Sequence, residues 1–240
     1  EEEEEEEGAS ETAPPSKKRR RVEDEKKKRA FPRINDLLAE AAEAKRRQKE
    51  EEDRKSQLDA VPEPERSRYV AVDCEMVGIG SAGRTSALAR TSLVDWDGKV
   101  LLDTFVRVPD RVTDFRTWVS GVRSKDIRNA MEPEDCREKV AEILKGKVLV
   151  GHSLKNDLSA LLLDHPRGDR RDTASYRPYM KPSGRGGGKM RPRRLRDLAE
   201  EYLGISIQGE GEEHSSIDDA RAAMELYKFA RTRWEREVAH

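Results

Sequence analysis

Tyr69-Val70-Ala71-Val72-Asp73-Cys74-Glu75-Met76-Val77-Gly78 decides how the rest of this chain is read. Its first half, through Cys74, is a short apolar run of the kind that forms a buried strand. Side chains alternate along a strand, so Asp73 and Glu75 share one face and Cys74 takes the other. Two carboxylates side by side repel each other, and a divalent cation supplies the missing counter-charge. Asp-X-Glu alone is a weak signal, because a solvated strand end also explains it. The Val-Ala-Val run just before it raises the signal by placing both acids at the rim of a core.

Working outward, residues 88–96 and 99–108 read as strands flanking Asp97-Gly98, a strong hairpin signal. With the first strand they predict an antiparallel meander. Residues 134–144 have helical period and stop at Gly146; residues 148–150 predict a fourth, fully apolar strand. Ser153 can cap a helix over 155–163. Residues 193–203 predict a further helix stopped by Gly204, and residues 216–234 the last one. A meander followed by alternating helix and strand predicts an α/β fold, a mixed sheet with helices on both faces. Ligands of such sheets sit outside the carboxyl ends of strands. Asp73 and Glu75 are expected at the end of the first strand, and Asp157 follows the fourth.

Asp157 falls in the first turn of its helix, where an acid also complements the helix dipole. His214 and Asp219 lie five apart, across a loop and the start of the last helix. Ser216-Ile217-Asp218-Asp219 fits a capping box, so Asp219 has a structural explanation too. Spacing alone does not separate Asp218 from Asp219. Taken together, four carboxylates and a histidine are the equipment of metal-assisted phosphodiester hydrolysis: cations for the acids and a proton acceptor beside them.

Six blocks carry a resemblance. VAVDCEMVG (70–78), RTSLVDWDGKVLLDTFVRVPDRVTDFRTWVSGV (90–122), LVGHSLKNDLSAL (149–161), RDTASYRPYM (171–180), LRDLAEEYLGISIQ (195–208) and HSSIDDARAAMELYK (214–228) closely resemble the DEDDh family of 3′→5′ exonucleases. Within that family they look most like the RNA exonuclease 4 group. The match covers about residues 68–235 in order. It implies a ribonuclease H-like fold, with a five-stranded mixed sheet of meander and parallel strands flanked by helices. Asp73 and Glu75 match the first family motif and Asp157 the second. His214 and Asp219 match the third, which selects Asp219 over Asp218. The resemblance implies two Mg²⁺ or Mn²⁺ ions about 3.5–4 Å apart. Asp73 would bridge them, Glu75 and Asp219 would complete one site, and Asp157 would hold the other. His214 would accept the proton of the attacking water, and Met76 would line the pocket of the terminal nucleotide. The implied products are nucleoside 5′-monophosphates cut from a 3′ end. The segment 208–213, Gln-Gly-Glu-Gly-Glu-Glu, is longer and more acidic than the family's usual one. Negative charge there is expected to raise the pKa of His214 or to slow the approach of nucleic acid.

The other features bear on partners and place. Residues 1–66 carry 17 basic and 21 acidic residues, against 31 and 28 in the remainder, so no net charge announces a nucleic-acid binder. Composition predicts a disordered tail over 1–66 with a possible helix at 35–58, a linker at 61–67, and an exonuclease domain over 67–240. Lys17-Lys18-Arg19-Arg20-Arg21 after two prolines reads as a nuclear localisation signal, with the nucleolus as the family's implied address. Arg185, Lys189, Arg191, Arg193, Arg194 and Arg196 could track the phosphates of a single strand, or form a solvated face. Gly184-Arg185-Gly186-Gly187-Gly188-Lys189 has the wrong spacing for a P-loop. Cys74 and Cys136 suit two buried thiols in a reducing compartment. No apolar run approaches membrane length, and a soluble intracellular protein is expected. The expected activity is an RNA exonuclease in ribosomal RNA processing, meeting a pre-ribosomal assembly. A DNA exonuclease of the same fold and a weakly active RNA-binding scaffold are the alternatives.

Overall fold

The computed structural model describes residues 39–53 apart from 41, 47 and 51, and residues 61–239 apart from 184–187, 210 and 212. The Glu run, the basic cluster at 17–21, the start of the helix expected from Asn35 and Arg185 lie outside the described residues. Residues 1–55 and 56–240 form separate units. In the first, the described residues between 39 and 53 are helical and exposed, with Arg46 and Glu50 paired at 3.6 Å one turn apart.

In the second unit the long strand β1 (Tyr69–Ile79) is the axis. Its even residues Val70, Val72 and Cys74 pack to one side, and Tyr69 and Ala71 pack to the other. β2 (Thr85–Asp95) and β3 (Val100–Phe105) complete the meander, both pairings antiparallel. The expected Asp-Gly turn joins them. Gly98 has φ +78°, and the Asp95 carboxylate accepts the N–H groups of Asp97 (3.0 Å) and Lys99 (2.8 Å). β4 (Val112–Asp114) pairs with the far end of β1. β5 (Val148–Gly151) and β6 (Arg170–Asp172) are parallel to β1, giving the order β3-β2-β1-β5-β6. The sheet therefore has the five-stranded mixed path expected, plus β4 as a sixth, short strand.

Helices cover both faces. α1 (Pro133–Leu144) and α2 (Leu154–Leu161) bury Cys136, Val140, Leu144, Leu154, Leu158 and Leu161 against the even face of β1. α3 (Leu195–Leu198) continues into a π turn over Ala199–Leu203, so it starts two residues later than expected. α4 (Ser216–Val238) crosses the other face, with Ala220, Ala223, Met224 and Tyr227 among Tyr69, Trp96 and Val150. Val61, which the sequence assigned to a linker, is buried in this second core, and Glu65 pairs with Arg231 of α4. The folded unit thus begins before residue 67. Among the described residues no helix is long and apolar enough to cross a membrane.

Three local expectations are corrected. β1 does not stop at Cys74. It runs on to Ile79 because β2 pairs with it throughout and β4 joins its end. Ser153 has φ +68° and makes no side-chain cap; its N–H instead donates to Asp172 of β6 at 2.8 Å. The cap of α4 is Ser215, which accepts from the Asp218 N–H, while Ser216 is buried against Ser92 at 2.6 Å. Asp219 is therefore not a capping acid.

Gly151 closes β5 where the chain turns into α2. A Cβ there would collide with Leu154 and lie 3.1 Å from the Val72 carbonyl oxygen. Overpacking of this kind costs about 1–3 kcal/mol. Gly151→Ala is expected to lower Tm by roughly 2–12 °C at this size. Calorimetry showing an unchanged Tm would mean that Leu154 yields freely.

Candidate active site

β5 pairs with β1 only from Tyr69 to Ala71 and then ends. Beyond that point one edge of β1 stands clear until β4, and Asp73 and Glu75 fall in this stretch. α2 leaves the end of β5 and brings in Asp157, 4% exposed. α4 brings Asp219, 3% exposed, to the same place. One acid comes from each helix and two from the strand edge.

Burial raises all four, and mutual repulsion within the cluster adds to it at Asp73 and Glu75. Burial, then the charges of Asp157, Asp219 and Glu75, push Asp73 well above the usual carboxylate range. Burial and the Asp219 charge push Glu75 up to about 8, against the pull of Arg90. Burial lifts Asp157 to about 7, although the backbone N–H groups of Asp157 and Cys74 pull it down. Asp219 is lifted by burial to about 6, with Gln208 Nε2 donating to its Oδ2 at 2.7 Å. Groups this close share protons into the neutral range unless a cation offsets them.

His214 completes the cluster. Its backbone N–H donates to the Val119 carbonyl at 2.7 Å, and its Nδ1 lies 3.9 Å from Asp219 Oδ2. One ligand atom each from Glu75, His214 and Asp219 lies within 4.8 Å of the others. Burial and the nearby Arg196 charge lower the His214 pKa, so the ring is neutral at pH 7 and can accept a proton. This reverses the direction expected from the acidic loop. The Glu213 carboxylate turns instead to Arg123, which donates to it at 3.2 Å. Glu210 and Glu212 lie outside the described residues.

Two clefts meet at Asp73 and His152. One, of about 640 Å³, is walled by Trp118, Arg193, Arg194, Arg196, Gln208 and His214. The other, of about 560 Å³, is walled by Met76, Ser86, Asn156 and Asp157.

The family model described as "Exonuclease" matches residues 70–227, a span containing all five of these residues. The chain belongs to the exonuclease family. RNA exonuclease 4 of Mycosarcoma maydis is 48% identical over 171 residues, covering 71% of this chain and 44% of that protein. RNA exonuclease 4 of Saccharomyces cerevisiae is 47% identical over 169 residues, covering 70% and 56%. The chain spans about half the length of the curated relatives it matches. Among solved structures, the Saccharomyces cerevisiae Pan2 pseudoubiquitin hydrolase-RNA exonuclease module in complex with A7 RNA is 31% identical. It superposes with a TM-score of 0.60 over 71% of this chain and 29% of that one. The Neurospora crassa Pan2 catalytic unit is 25% identical, with a TM-score of 0.59 over 75% and 30%. The fold is the ribonuclease H-like one of these exonucleases.

In this exonuclease domain the five expected residues converge, and Met76 lines the cleft beside Asp73 and Asp157. The basic residues divide. Arg193, Arg194 and Arg196 line the larger cleft, but Lys189 and Arg191 do not. Arg193 is also paired with Glu201 and Arg196 with Asp197 at 3.6 Å, so both bring a carboxylate with them to the cleft wall. Sequence reasoning missed Trp118, His152, Asn156 and Gln208. His152 could have been found, since it follows β5 at the carboxyl end of the sheet, where ligands bind. Gln208 was read only as part of an acidic loop, and Trp118 sits in no periodic segment.

The donor set fits hard divalent cations: carboxylate oxygens with a neighbouring imidazole and no thiolate. Cys74 borders the cleft beside Asp157 and Thr91, but burial and the Asp157 charge raise its thiol well above the usual range, so it stays protonated. The raised pKa values carry a stability consequence. Between the unfolded carboxyl range near about 4 and the folded values, the folded domain holds protons that the unfolded chain has lost. Stability of the metal-free protein should therefore fall as pH rises from about 4 through the values near 6, 7 and 8. Mg²⁺ should raise Tm more at about pH 8 than at about pH 5.5, because at the lower pH protons compete for the same oxygens. Equal or opposite increments in paired thermal scans would refute a carboxylate cation site here.

Proposed function

We propose that this protein is a divalent-metal-dependent 3′→5′ exonuclease that trims single-stranded RNA to nucleoside 5′-monophosphates. The observation that carries the reading is the set of four buried or half-buried carboxylates from β1, α2 and α4, with a neutral histidine beside them in an open cleft. Asp73, Glu75, Asp157 and Asp219 would hold two Mg²⁺ or Mn²⁺ ions. When bound, these ions neutralise the carboxylates and supply Lewis acidity at the phosphodiester. His214 takes the proton of the attacking water, and the 3′ oxygen of the preceding nucleotide leaves. Gln208 holds the Asp219 carboxylate in place. Arg194 and Arg196 meet the strand's phosphates, and the single-strand preference follows from a cleft that accepts one end of a chain.

The test is hydrolysis of 5′-labelled single-stranded RNA in Mg²⁺, with matched DNA, a circular RNA and an EDTA control alongside. A ladder shortening from the 3′ end of RNA is expected. Cutting of the circle, or turnover in EDTA, would overturn the reading, and equal rates on DNA would transfer it to the DNA alternative. We further propose that the protein works in the nucleus on ribosomal RNA precursors, supported by the basic cluster at 17–21 and by relatives named RNA exonuclease 4. Alanine replacement of that cluster should abolish nuclear enrichment of a fluorescent fusion.

A further inference from the structure

Trp118 is 79% exposed, whereas Trp96 and Trp234 are 3% and 6% exposed within the core. A lone exposed aromatic on a protein surface means little. Trp118 differs because it walls the same cleft as Asp73, His152, His214 and the cations Arg194 and Arg196. It rides a single helical turn, Thr117–Ser120, tied at both ends. Thr117 Oγ1 donates to the Val122 carbonyl at 2.8 Å and Ser120 Oγ to the Phe115 carbonyl at 2.9 Å. Arg116, at φ +49°, donates to Ser86 Oγ (3.0 Å) and to the Gly83 carbonyl (2.8 Å), anchoring the turn to the start of β2. The next residue, Val119, accepts the His214 N–H. A hydrogen-bonded turn thus carries an exposed indole and accepts the backbone N–H of the proton acceptor at the same time.

We propose that Trp118 is a stacking platform for one base near the 3′ end of the bound strand, and that its turn sets that base and His214 in a common frame. The proposal rests on the exonuclease reading above and adds a residue that selects for an unpaired base. A base inside a duplex has both faces covered, so it cannot use this platform until its pair is opened. Every base has a π face, so the contact reads strandedness and not sequence.

The experiment compares Trp118→Ala and Trp118→Phe with the wild-type protein on one single-stranded RNA and on versions with an abasic residue at each of the last few positions. Trp118→Ala should lower kcat/KM by about 5- to 150-fold on the intact strand, the usual worth of one base–aromatic stack. Trp118→Phe should recover most of that loss. At one abasic position the wild-type protein and Trp118→Ala should become alike, which marks the stacked nucleotide. A role confined to holding the turn would give the same loss on every substrate. Binding is read separately, in the Asp73→Asn background, by quenching of Trp118 fluorescence with the unlabelled RNA. Quenching that vanishes in Trp118→Phe supports the platform. No quenching, or a Trp118→Ala rate within about two-fold of wild type, overturns it. If the wild-type protein cuts no strand, the exonuclease reading has failed, and the fluorescence result still decides whether a base stacks here.

Discussion

Asp73→Asn is expected to remove turnover while leaving the fold intact. Asp73 feels the charges of all three other acids, so it sits at the centre of the cluster and would lose the most cation binding. Several kcal/mol of transition-state stabilisation by bound cations corresponds to a rate loss of about 10³-fold or more, at 1.36 kcal/mol per tenfold. The same change removes a carboxylate that burial and three negative neighbours disfavour. The metal-free variant should therefore melt at or above the wild-type temperature at about pH 8, where the acids repel one another most. Single-turnover rates and thermal scans on one preparation give both answers. Turnover within tenfold of wild type, or robust wild-type turnover in excess chelator, would end the metal model.

His214→Ala is expected to slow the chemical step by roughly 10²–10⁴-fold, the usual range for a lost general base. The geometry allows a rival role, because the imidazole lies close enough to Glu75 and Asp219 to ligate a cation. The two roles separate in the Mg²⁺-dependent rise in Tm. A proton acceptor can be removed with that rise intact, whereas removal of a ligand diminishes it. The pH profile adds a second check. The His214 pKa lies below the ordinary imidazole value, so the acid limb belonging to it should appear below about 6.5 and be absent in His214→Ala. A variant rate within a few-fold of wild type would assign the base elsewhere. Asp218→Asn should be mild beside Asp219→Asn, since Asp218 is exposed and paired with Arg221 at 3.1 Å.

The meander was legible because its signals are local: the apolar run that opens β1, and Asp-Gly between β2 and β3. β4 and β6 were not. Val-Thr-Asp and Arg-Arg-Asp carry no apolar pattern, and their pairing is dictated by the strands they lie against. The error at Ser153 follows from the same blindness. A serine before a helix reads as a cap, but its backbone is claimed by Asp172 of the strand that the sequence did not reveal. The acids were legible as residue types, and the resemblance supplied what spacing could not, namely which aspartate of the pair at 218 and 219 turns inward. Burial gives the physical reason for that choice, since Asp219 lies on the buried side of α4 and accepts from Gln208. The His214 pKa was misjudged because acidic residues in a row were taken to face the histidine, while Glu213 is drawn off by Arg123.

The parts of the site lie far apart along the chain. β1 supplies two acids early, α2 a third, and only α4, the last element, supplies Asp219 beside His214. Contacts between such distant segments form late in folding, after the cost of closing long loops has been met. A nascent chain that has not yet placed residues 214–219 holds three of the acids and no proton acceptor. On the proposed reading, turnover of a labelled strand during refolding should therefore appear only once α4 has docked.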